Sequence, residues 1–157
     1  VTQNQVLFKA ENLYFYSRLL EGYYPDTNRL IPANNATELT INANDLLQAT
    51  DRASLLSHEG KNNVIKLSIS DNHVELSGNS PEIGTVEEEL EYSEAKGDSL
   101  VISFNPDYLK DALRTFGHQN VVIGFTAPIR PFTVVPADDN TEISQSFIQL
   151  ITPVRTY

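Results

Sequence analysis

Carboxylates are concentrated in one short stretch of the sequence, where Glu82 is followed by Glu87, Glu89 and Glu91. Paired carboxylates carry out acid–base chemistry in glycoside hydrolases, so a hydrolytic site using Glu87 and Glu89 is one interpretation. The three later glutamates alternate along the chain, however, and would point to one face of a strand. Charged residues on an exposed strand commonly prevent aggregation between sheets. We therefore expect a solvated or partner-facing edge, with hydrolysis as the least favoured alternative.

The other residue types that commonly carry chemistry are sparse. The chain has no cysteine, which excludes disulfides, thiolate catalysis and cysteine-based zinc sites. His58, His73 and His118 lack the spacing of metal ligands, and none lies in a nucleophile motif. Neither a Gly-x-Gly-x-x-Gly sequence nor a phosphate-binding loop is present. The sequence therefore predicts a protein that is not an enzyme and that needs no metal or cofactor.

Four polar residues on two predicted helices could contact a phosphate backbone: Gln48, Arg52, Lys110 and Arg114. The three cations lie off the apolar stripes of their helices, so we expect them to face outward. The net charge of −10 argues against broad nucleic-acid binding, because phosphate contacts need clustered Lys and Arg. From spacing alone, an ordinary charged helix face is favoured, and a phosphate-facing surface is the alternative.

The composition is that of one globular domain with a little additional chain. The sequence has 157 residues, of which 40% are hydrophobic and 20% charged. No apolar run approaches the ~18–20 residues that a membrane-spanning helix needs. The absence of methionine, even at position 1, leads us to expect that the chain begins inside a larger protein.

The first part of the chain predicts an incomplete sheet followed by a connector. Residues 6–10 and 13–20 have the pattern of two strands, and an isolated hairpin is only marginally stable in water. Residues 22–32 contain Pro25 and Pro32, which favour a stiff, extended backbone. Because this connector also carries two tyrosines and other large apolar residues, we expect it to form one wall of a binding groove.

The remaining chain predicts alternating helices and strands. Asn42 or Asn44 can cap a helix at 45–57, and Asn105 can cap one at 106–116. Alternation of apolar and polar residues predicts strands at 38–41, 65–69, 74–76, 84–95, 100–104, 120–127, 130–136 and 143–151. A strand, a helix and three strands thus occur twice. This internal repeat predicts an α+β fold with pseudo-twofold symmetry, in which two helices pack on antiparallel sheets.

Two apolar features exceed what a core requires. Leu55 stands beside Leu56 near the end of the first helix, where one leucine would suffice. Residues 150–157 are apolar almost to the end of the chain. Completion of a sheet explains this ending, and an exposed apolar terminus would also attract a partner.

Three stretches of the sequence together resemble one family. Residues 17–32 (Ser-Arg-Leu-Leu-Glu-Gly-Tyr-Tyr-Pro-Asp-Thr-Asn-Arg-Leu-Ile-Pro), 104–113 and 152–157 are similar to the β sliding clamp of bacterial DNA polymerase III. The ending is similar to that of Gram-positive clamps. The resemblance covers the whole chain and implies three parts. These are the last strands of a truncated middle domain at 1–22, an interdomain connector at 23–36, and the complete third domain, with the DNA-clamp fold, at 37–157.

The resemblance implies a non-catalytic processivity factor. Clamps of this family are head-to-tail homodimers of three-domain subunits that encircle double-stranded DNA, with helices lining the channel and sheets outside. Membership would place Gln48, Arg52, Lys110 and Arg114 near the DNA, where sliding needs only a few phosphate contacts. It also implies a bacterial cytoplasmic location with the nucleoid, and no cofactor. A free-standing peptide-binding module without a DNA role is the alternative.

The resemblance further implies a groove for peptides of the polymerase III alpha subunit and of the clamp loader. The residues that match its lining are Pro25, Arg29, Leu30, Asn105, Tyr108, Ile129, Pro131, Leu150, Thr152, Pro153, Val154 and Arg155. Thr152 and Val154 stand where many clamps have methionine, so we expect a less deformable pocket. The middle-domain wall lies outside the sequence, so we expect reduced peptide affinity.

A third group of residues matches the interface between the subunits of the clamp ring. Its members are Leu55, Leu56, Glu82, Glu87 and Glu88. This assignment would explain the additional leucine and the acidic strand as contacts with the partner subunit. The partner surface belongs to a first domain outside the sequence, so we do not expect this chain to close a ring by itself.

Overall fold

The computed structural model describes residues 4–57, 63–70, 73–138 and 147–156. In these ranges the chain forms two helices, α1 (Ala43–Ser57) and α2 (Pro106–Arg114). The strands are β1 (Gln5–Ala10), β2 (Leu13–Arg18), β3 (Thr37–Asn42), β4 (Ile65–Ser70), β5 (His73–Ser80), β6 (Gly84–Glu89), β7 (Glu94–Gly97), β8 (Leu100–Phe104), β9 (Asn120–Phe125), β10 (Phe132–Pro136) and β11 (Gln149–Ile151). The sequence also predicts a turn at Asp71-Asn72 between two strands. This turn, His58 and the first part of the strand predicted at 143–151 fall outside the described residues.

The strands form three antiparallel sheets, and the two larger ones exchange their first strands. The five-stranded sheet has the order β11-β10-β9-β3-β7, and the four-stranded sheet has the order β6-β5-β4-β8. Strand β3 opens the first repeat but pairs with β9 of the second, while β8 opens the second repeat and pairs with β4 of the first. The α+β fold and its pseudo-twofold repeat are therefore confirmed.

The repeat extends to the segments that follow β6 and β11. The Ser93 N–H donates to the carbonyl oxygen of Thr40 in β3 at 2.9 Å, and the Val154 N–H donates to that of Ser103 in β8 at 2.7 Å. Thr40 and Ser103 hold the same position in their repeats, one residue before the last apolar residue of the strand. Residues 152–156, here called the C-terminal tail, are thus the counterpart of the segment that leads into β7.

The core lies between the helices and the two large sheets. Phe104, Phe125 and Phe132 are fully buried, and the Phe132 ring centroid lies 5.3 Å from that of Phe104 and 5.2 Å from that of Phe125. Strand β4 buries every second residue, as the alternating pattern predicts. Helix α1 packs closely against β5: a Cβ atom at Gly78 would collide with the carbonyl oxygen of Ala53.

Both predicted helix caps are present. Asn42 accepts a hydrogen bond at Oδ1 from the Asn44 N–H at 3.0 Å, and Asn105 accepts one from the Asp107 N–H at 2.9 Å. Helix α1 begins two residues earlier than predicted, and α2 ends at Arg114 rather than at 116. No helix in the described ranges has the length and apolar character needed to cross a membrane.

The prediction of one strand at 84–95 is wrong, since the chain changes sheets within this segment. Strand β6 pairs with β5 in the four-stranded sheet, and β7 pairs with β3 in the five-stranded sheet. Between them, Leu90 is buried and its N–H donates to the Val74 carbonyl oxygen at 2.8 Å. Alternation alone cannot reveal this crossing, because the apolar residues keep their period while the pairing partner changes.

The hairpin of β1 and β2 is a separate two-stranded sheet. Its strands pair from Gln5 opposite Arg18 to Ala10 opposite Leu13. Large apolar side chains are exposed on both of its faces, among them Phe8 and Phe15, whose ring centroids lie 6.1 Å apart. A hairpin that leaves its apolar residues in water gains little stability of its own.

The connector differs from the extended segment that its prolines predict. Residues Thr27–Arg29 form a 3-10 turn, capped by the Asp26 carboxylate, which accepts from the Asn28 N–H at 3.2 Å. The side chains of Tyr23 and Tyr24 are exposed. The expectation of a fully extended connector is therefore wrong at this turn, where the Asx-type hydrogen bond favours a compact backbone.

Candidate functional site

Lys110 lies between the two helices and does not face outward as predicted. Only 7% of the residue is exposed. Its Nζ lies 2.9 Å from Asp107 Oδ1, 3.6 Å from Asp51 Oδ1 and 3.3 Å from the Ser54 hydroxyl. The prediction failed because an apolar stripe identifies the side of a helix that meets the core, and here a second helix covers the polar side as well.

A polar network continues from Lys110 to the start of β4. Asn63 donates through Nδ2 to Asp107 Oδ2 at 2.6 Å, and its own Oδ1 accepts from the Ser57 hydroxyl at 3.1 Å. Asn63 thus connects the end of α1 with the first turn of α2. Local sequence patterns do not reveal this role of Asn63, since the partners of a half-buried amide depend on tertiary contacts.

Arg52 and Glu88 form a two-point ion pair between α1 and β6. Arg52 Nε lies 2.8 Å from Glu88 Oε1, and Nη2 lies 2.9 Å from Oε2. The hydrogen bonds from the guanidinium lower the pKa of the Glu88 carboxyl, and the same contacts raise the pKa of Arg52. The sequence assigned these residues to two separate surfaces, a DNA face and a ring interface, but the structure brings them into direct contact.

The remaining members of the predicted DNA face are accessible. Gln48 lies one turn before Arg52 on α1, and both line a cavity of about 290 Å³ whose far side includes Leu90. Arg114, on α2, contacts Asp111 Oδ1 through Nη1 at 2.6 Å, and the two side chains are 57% and 72% exposed. Gln48, Arg52 and Arg114 therefore remain accessible to a ligand, whereas Lys110 does not.

The predicted groove residues of the second repeat are brought together in part. Pro153 forms a β-bridge with Phe104, which places the C-terminal tail beside Asn105 at the start of α2. Leu150 pairs with Thr133 in β10, two residues after Pro131. Tyr108, Ile129 and Val154 are large apolar residues that are exposed to solvent. All three belong to the second repeat.

The connector residues of the predicted groove make contacts within the connector itself. Arg29 Nε lies 3.1 Å from Asp26 Oδ2, and Leu30 is exposed. The hydrogen bonds described for the C-terminal tail go to β8, not to the connector. The assignment of Pro25, Arg29 and Leu30 to the wall of a groove stays a prediction.

The predicted ring-interface residues lie on α1 and on or beside β6, two elements that contact each other. Leu55 is 69% exposed near the end of α1, and the neighbouring Leu56 is half-buried. Glu82 and Glu87 are both exposed. Glu82 lies just before β6, the outermost strand of the four-stranded sheet, and Glu87 lies within it. The surplus leucine and the acidic strand thus share an edge of the domain.

One interaction on this edge was missed from the sequence. His73 Nδ1 lies 3.3 Å from Glu89 Oε1, and its Nε2 lies 3.3 Å from Glu75 Oε2. Hydrogen bonds to these two carboxylates raise the pKa of His73. A carboxylate already bound by an exposed histidine is a poor candidate for the acid–base pair that the hydrolytic interpretation requires.

The fold and these surfaces define a class of protein, an α+β domain of the DNA-clamp type with a pseudo-twofold repeat. Residues 28–155 match the family described as DNA polymerase III beta subunit, C-terminal domain. The chain therefore belongs to the DNA polymerase III beta subunit family.

Individual relatives carry the same assignment. The chain is 51% identical over 154 residues to the beta sliding clamp of Staphylococcus aureus, covering 98% of this chain and 40% of the relative. It is 49% identical over 153 residues to the beta sliding clamp of Streptococcus pneumoniae, covering 98% and 39%. The crystal structure of the Streptococcus pneumoniae DNA polymerase III beta chain superposes with a TM-score of 0.86 at 48% identity, covering 99% of this chain and 40% of that one. The chain thus spans about two fifths of the length of these relatives.

Proposed function

We propose that this chain is the third-domain part of a DNA polymerase processivity factor. In this proposal a ring encircles and slides on double-stranded DNA and recruits the polymerase III alpha subunit and the clamp loader through a peptide groove. The match of residues 28–155 to the family's C-terminal domain carries the proposal. The role is non-catalytic and requires no cofactor, and its place would be the bacterial cytoplasm, with the nucleoid.

The same proposal divides the chain into three parts. Residues 1–22 supply the last strands of a middle domain, 23–36 connect the domains, and 37–157 form the third domain. The exposed apolar side chains of β1 and β2 support this division, because a strand pair with apolar residues on both faces is suited to the interior of a larger sheet. In the full ring, a head-to-tail homodimer would meet at Leu55, Leu56, Glu82, Glu87 and Glu88.

The proposed groove takes an apolar peptide on the second repeat. The exposed side chains of Tyr108, Ile129 and Val154 support this role, as does the β-bridge between Pro153 and Phe104 that places the C-terminal tail near the start of α2. The full proposed lining is Pro25, Arg29, Leu30, Asn105, Tyr108, Ile129, Pro131, Leu150, Thr152, Pro153, Val154 and Arg155. Thr152 and Val154 make the tail side of this groove stiffer than one with methionine.

Peptide binding tests the proposal directly. A fluorescently labelled clamp-binding peptide ending in Leu and Phe is titrated with the chain, and its anisotropy is followed. Val154→Asp introduces a charge into the apolar surface and Arg29→Ala removes a connector cation, so both variants should weaken binding. Ile83→Asp places the same charge on an exposed isoleucine near β6 and should leave binding unchanged. Equal affinity in all four proteins would remove the groove assignment.

A further inference from the structure

Each cation on the paired helices is matched by a carboxylate of the same domain. Arg52 binds Glu88 at two points, Lys110 contacts Asp107 and Asp51, and Arg114 contacts Asp111. Helix α1 carries two carboxylates and one cation, and α2 carries two of each. The helix surface that the proposed function turns toward DNA is therefore not electropositive.

Two of these pairs are open to a phosphate, and the third is not. Arg52 and Arg114 have side chains that are 53% and 57% exposed, and both retain guanidinium N–H groups beyond those used in the pair. Lys110 is enclosed between the helices. Glu88 and Asp111 thus control how much positive charge the helix surface can present.

The Arg52–Glu88 pair joins a helix to a strand, so the positions of its two partners are set by the packing of α1 against β6. Its partners lie on α1 and β6, 36 positions apart in the sequence, and the two hydrogen bonds run side by side. Parallel N–H donors of arginine bind the two oxygens of a carboxylate in the same way as two oxygens of a phosphate. Glu88 therefore occupies the donors that would bind a phosphate most strongly.

We propose that Glu88 and Asp111 are counter-charges that keep the contact of these helices with DNA weak, so that the protein slides instead of gripping. This inference rests on the proposed function, and it assigns to Glu88 a role within the domain in addition to any role at the ring interface. Each phosphate contact releases counterions and adds affinity that does not depend on sequence. A ring retained by its closure gains nothing from such affinity, and strong contacts would slow its movement.

The test uses the 157-residue chain and a short labelled DNA duplex at low ionic strength, with binding followed by anisotropy over a series of salt concentrations. Asp111→Asn keeps the shape of the side chain and removes its charge, which uncovers Arg114. We expect a several-fold rise in affinity, and a slope of log K against log salt that is steeper by about 0.9 for one added phosphate contact. Glu88→Gln should act in the same way through Arg52.

Glu94→Gln is the matched control. Glu94 binds Lys96 at 2.7 Å on β7, so its substitution also removes one carboxylate from an exposed cation. Ala95 between them packs on the core, so both side chains point away from it, on the sheet side of the domain. This variant should bind the duplex as the wild-type chain does.

The outcomes separate this inference from the proposed function. Tighter and steeper binding by Asp111→Asn and Glu88→Gln, but not by Glu94→Gln, supports the counter-charge role. An equal rise in all three variants would overturn it, because net charge alone would then explain the result. Unchanged binding by Asp111→Asn and Glu88→Gln, combined with weaker binding by Arg52→Ala and Arg114→Ala, would also overturn it while leaving the DNA face intact. Failure of the proposed function would appear separately, as loss of the peptide binding described above.

Discussion

Lys110 and Asp51 lie on different helices and in different halves of the repeat, yet Lys110 Nζ and Asp51 Oδ1 are 3.6 Å apart. Together with the 2.9 Å contact to Asp107, this places one ammonium group between two carboxylates at the junction of α1 and α2. The junction is therefore held by charge as well as by apolar packing, and Lys110 acts inside the domain.

We expect Lys110→Met to destabilise the domain by about 1–3 kcal/mol, because the substitution removes the buried ammonium group that contacts Asp107, Asp51 and the Ser54 hydroxyl. The midpoint of urea unfolding measures this cost. Lys96→Met, at an exposed ion pair on β7, should change stability by less than about 0.5 kcal/mol. Equal stability of Lys110→Met and the wild-type chain would mean that the pair contributes nothing to the helix junction.

Gly78 is the second position where stability can be tested. A Cβ atom there would collide with the Ala53 carbonyl oxygen, so Gly78→Ala must displace α1 from β5. We expect a cost of about 1–3 kcal/mol, as for other overpacked core sites, measured by chemical denaturation.

The control for this substitution is Gly117→Asn. Gly117 has a φ of +60°, which asparagine tolerates, and the space around its missing Cβ is open. The control should therefore be milder than Gly78→Ala. A Gly78→Ala protein that unfolds at the wild-type midpoint would contradict the close seating of α1.

The Arg52–Glu88 pair should make stability depend on pH in the acid range. Because Arg52 lowers the pKa of the folded-state Glu88 carboxyl, the pair stabilises the folded protein above the unfolded-state pKa of glutamate, about 4.3. This stabilisation is lost as the pH falls through the lower folded-state pKa. The difference in unfolding free energy between wild type and Glu88→Gln should therefore shrink on acidification.

Denaturation of both proteins at neutral and at acidic pH measures this difference. Glu87→Gln, on the exposed outer face of β6, controls for the loss of a nearby carboxylate and should differ little from wild type at either pH. A constant difference between wild type and Glu88→Gln across the range would show that the ion pair does not stabilise the fold.

Local signals in the sequence predicted most of the secondary structure. The caps at Asn42 and Asn105 and the alternation in β4 depend on neighbouring residues, so the sequence contains what is needed to find them. The change of sheet after Glu89 cannot be found from neighbouring residues, because it depends on which distant strand each residue pairs with. The order of elements was therefore predictable, but the pairing of 84–95 was not.

The candidate site was predictable to a lesser degree. Residue types and family resemblance picked out Arg52 and Glu88, but their partnership across 36 positions is a tertiary contact. The same limit explains why the prediction that Lys110 faces outward was wrong. Its surroundings include α1, which lies far from Lys110 in the sequence. Tyr108 and Val154 are exposed, but their place in a groove stays a prediction, as does that of the connector residues.

The exchange of β3 and β8 between the two repeats has a consequence for how the domain folds. Neither repeat contains all the strands of its own sheet, so a half of the domain would leave β4 or β9 without a neighbour on one side. Each half can therefore complete its hydrogen bonding only when the other is present. We expect residues 37–156 to fold in one cooperative transition, at a rate limited by the closure of long chain loops, although the sequence reads as a tandem of two similar units.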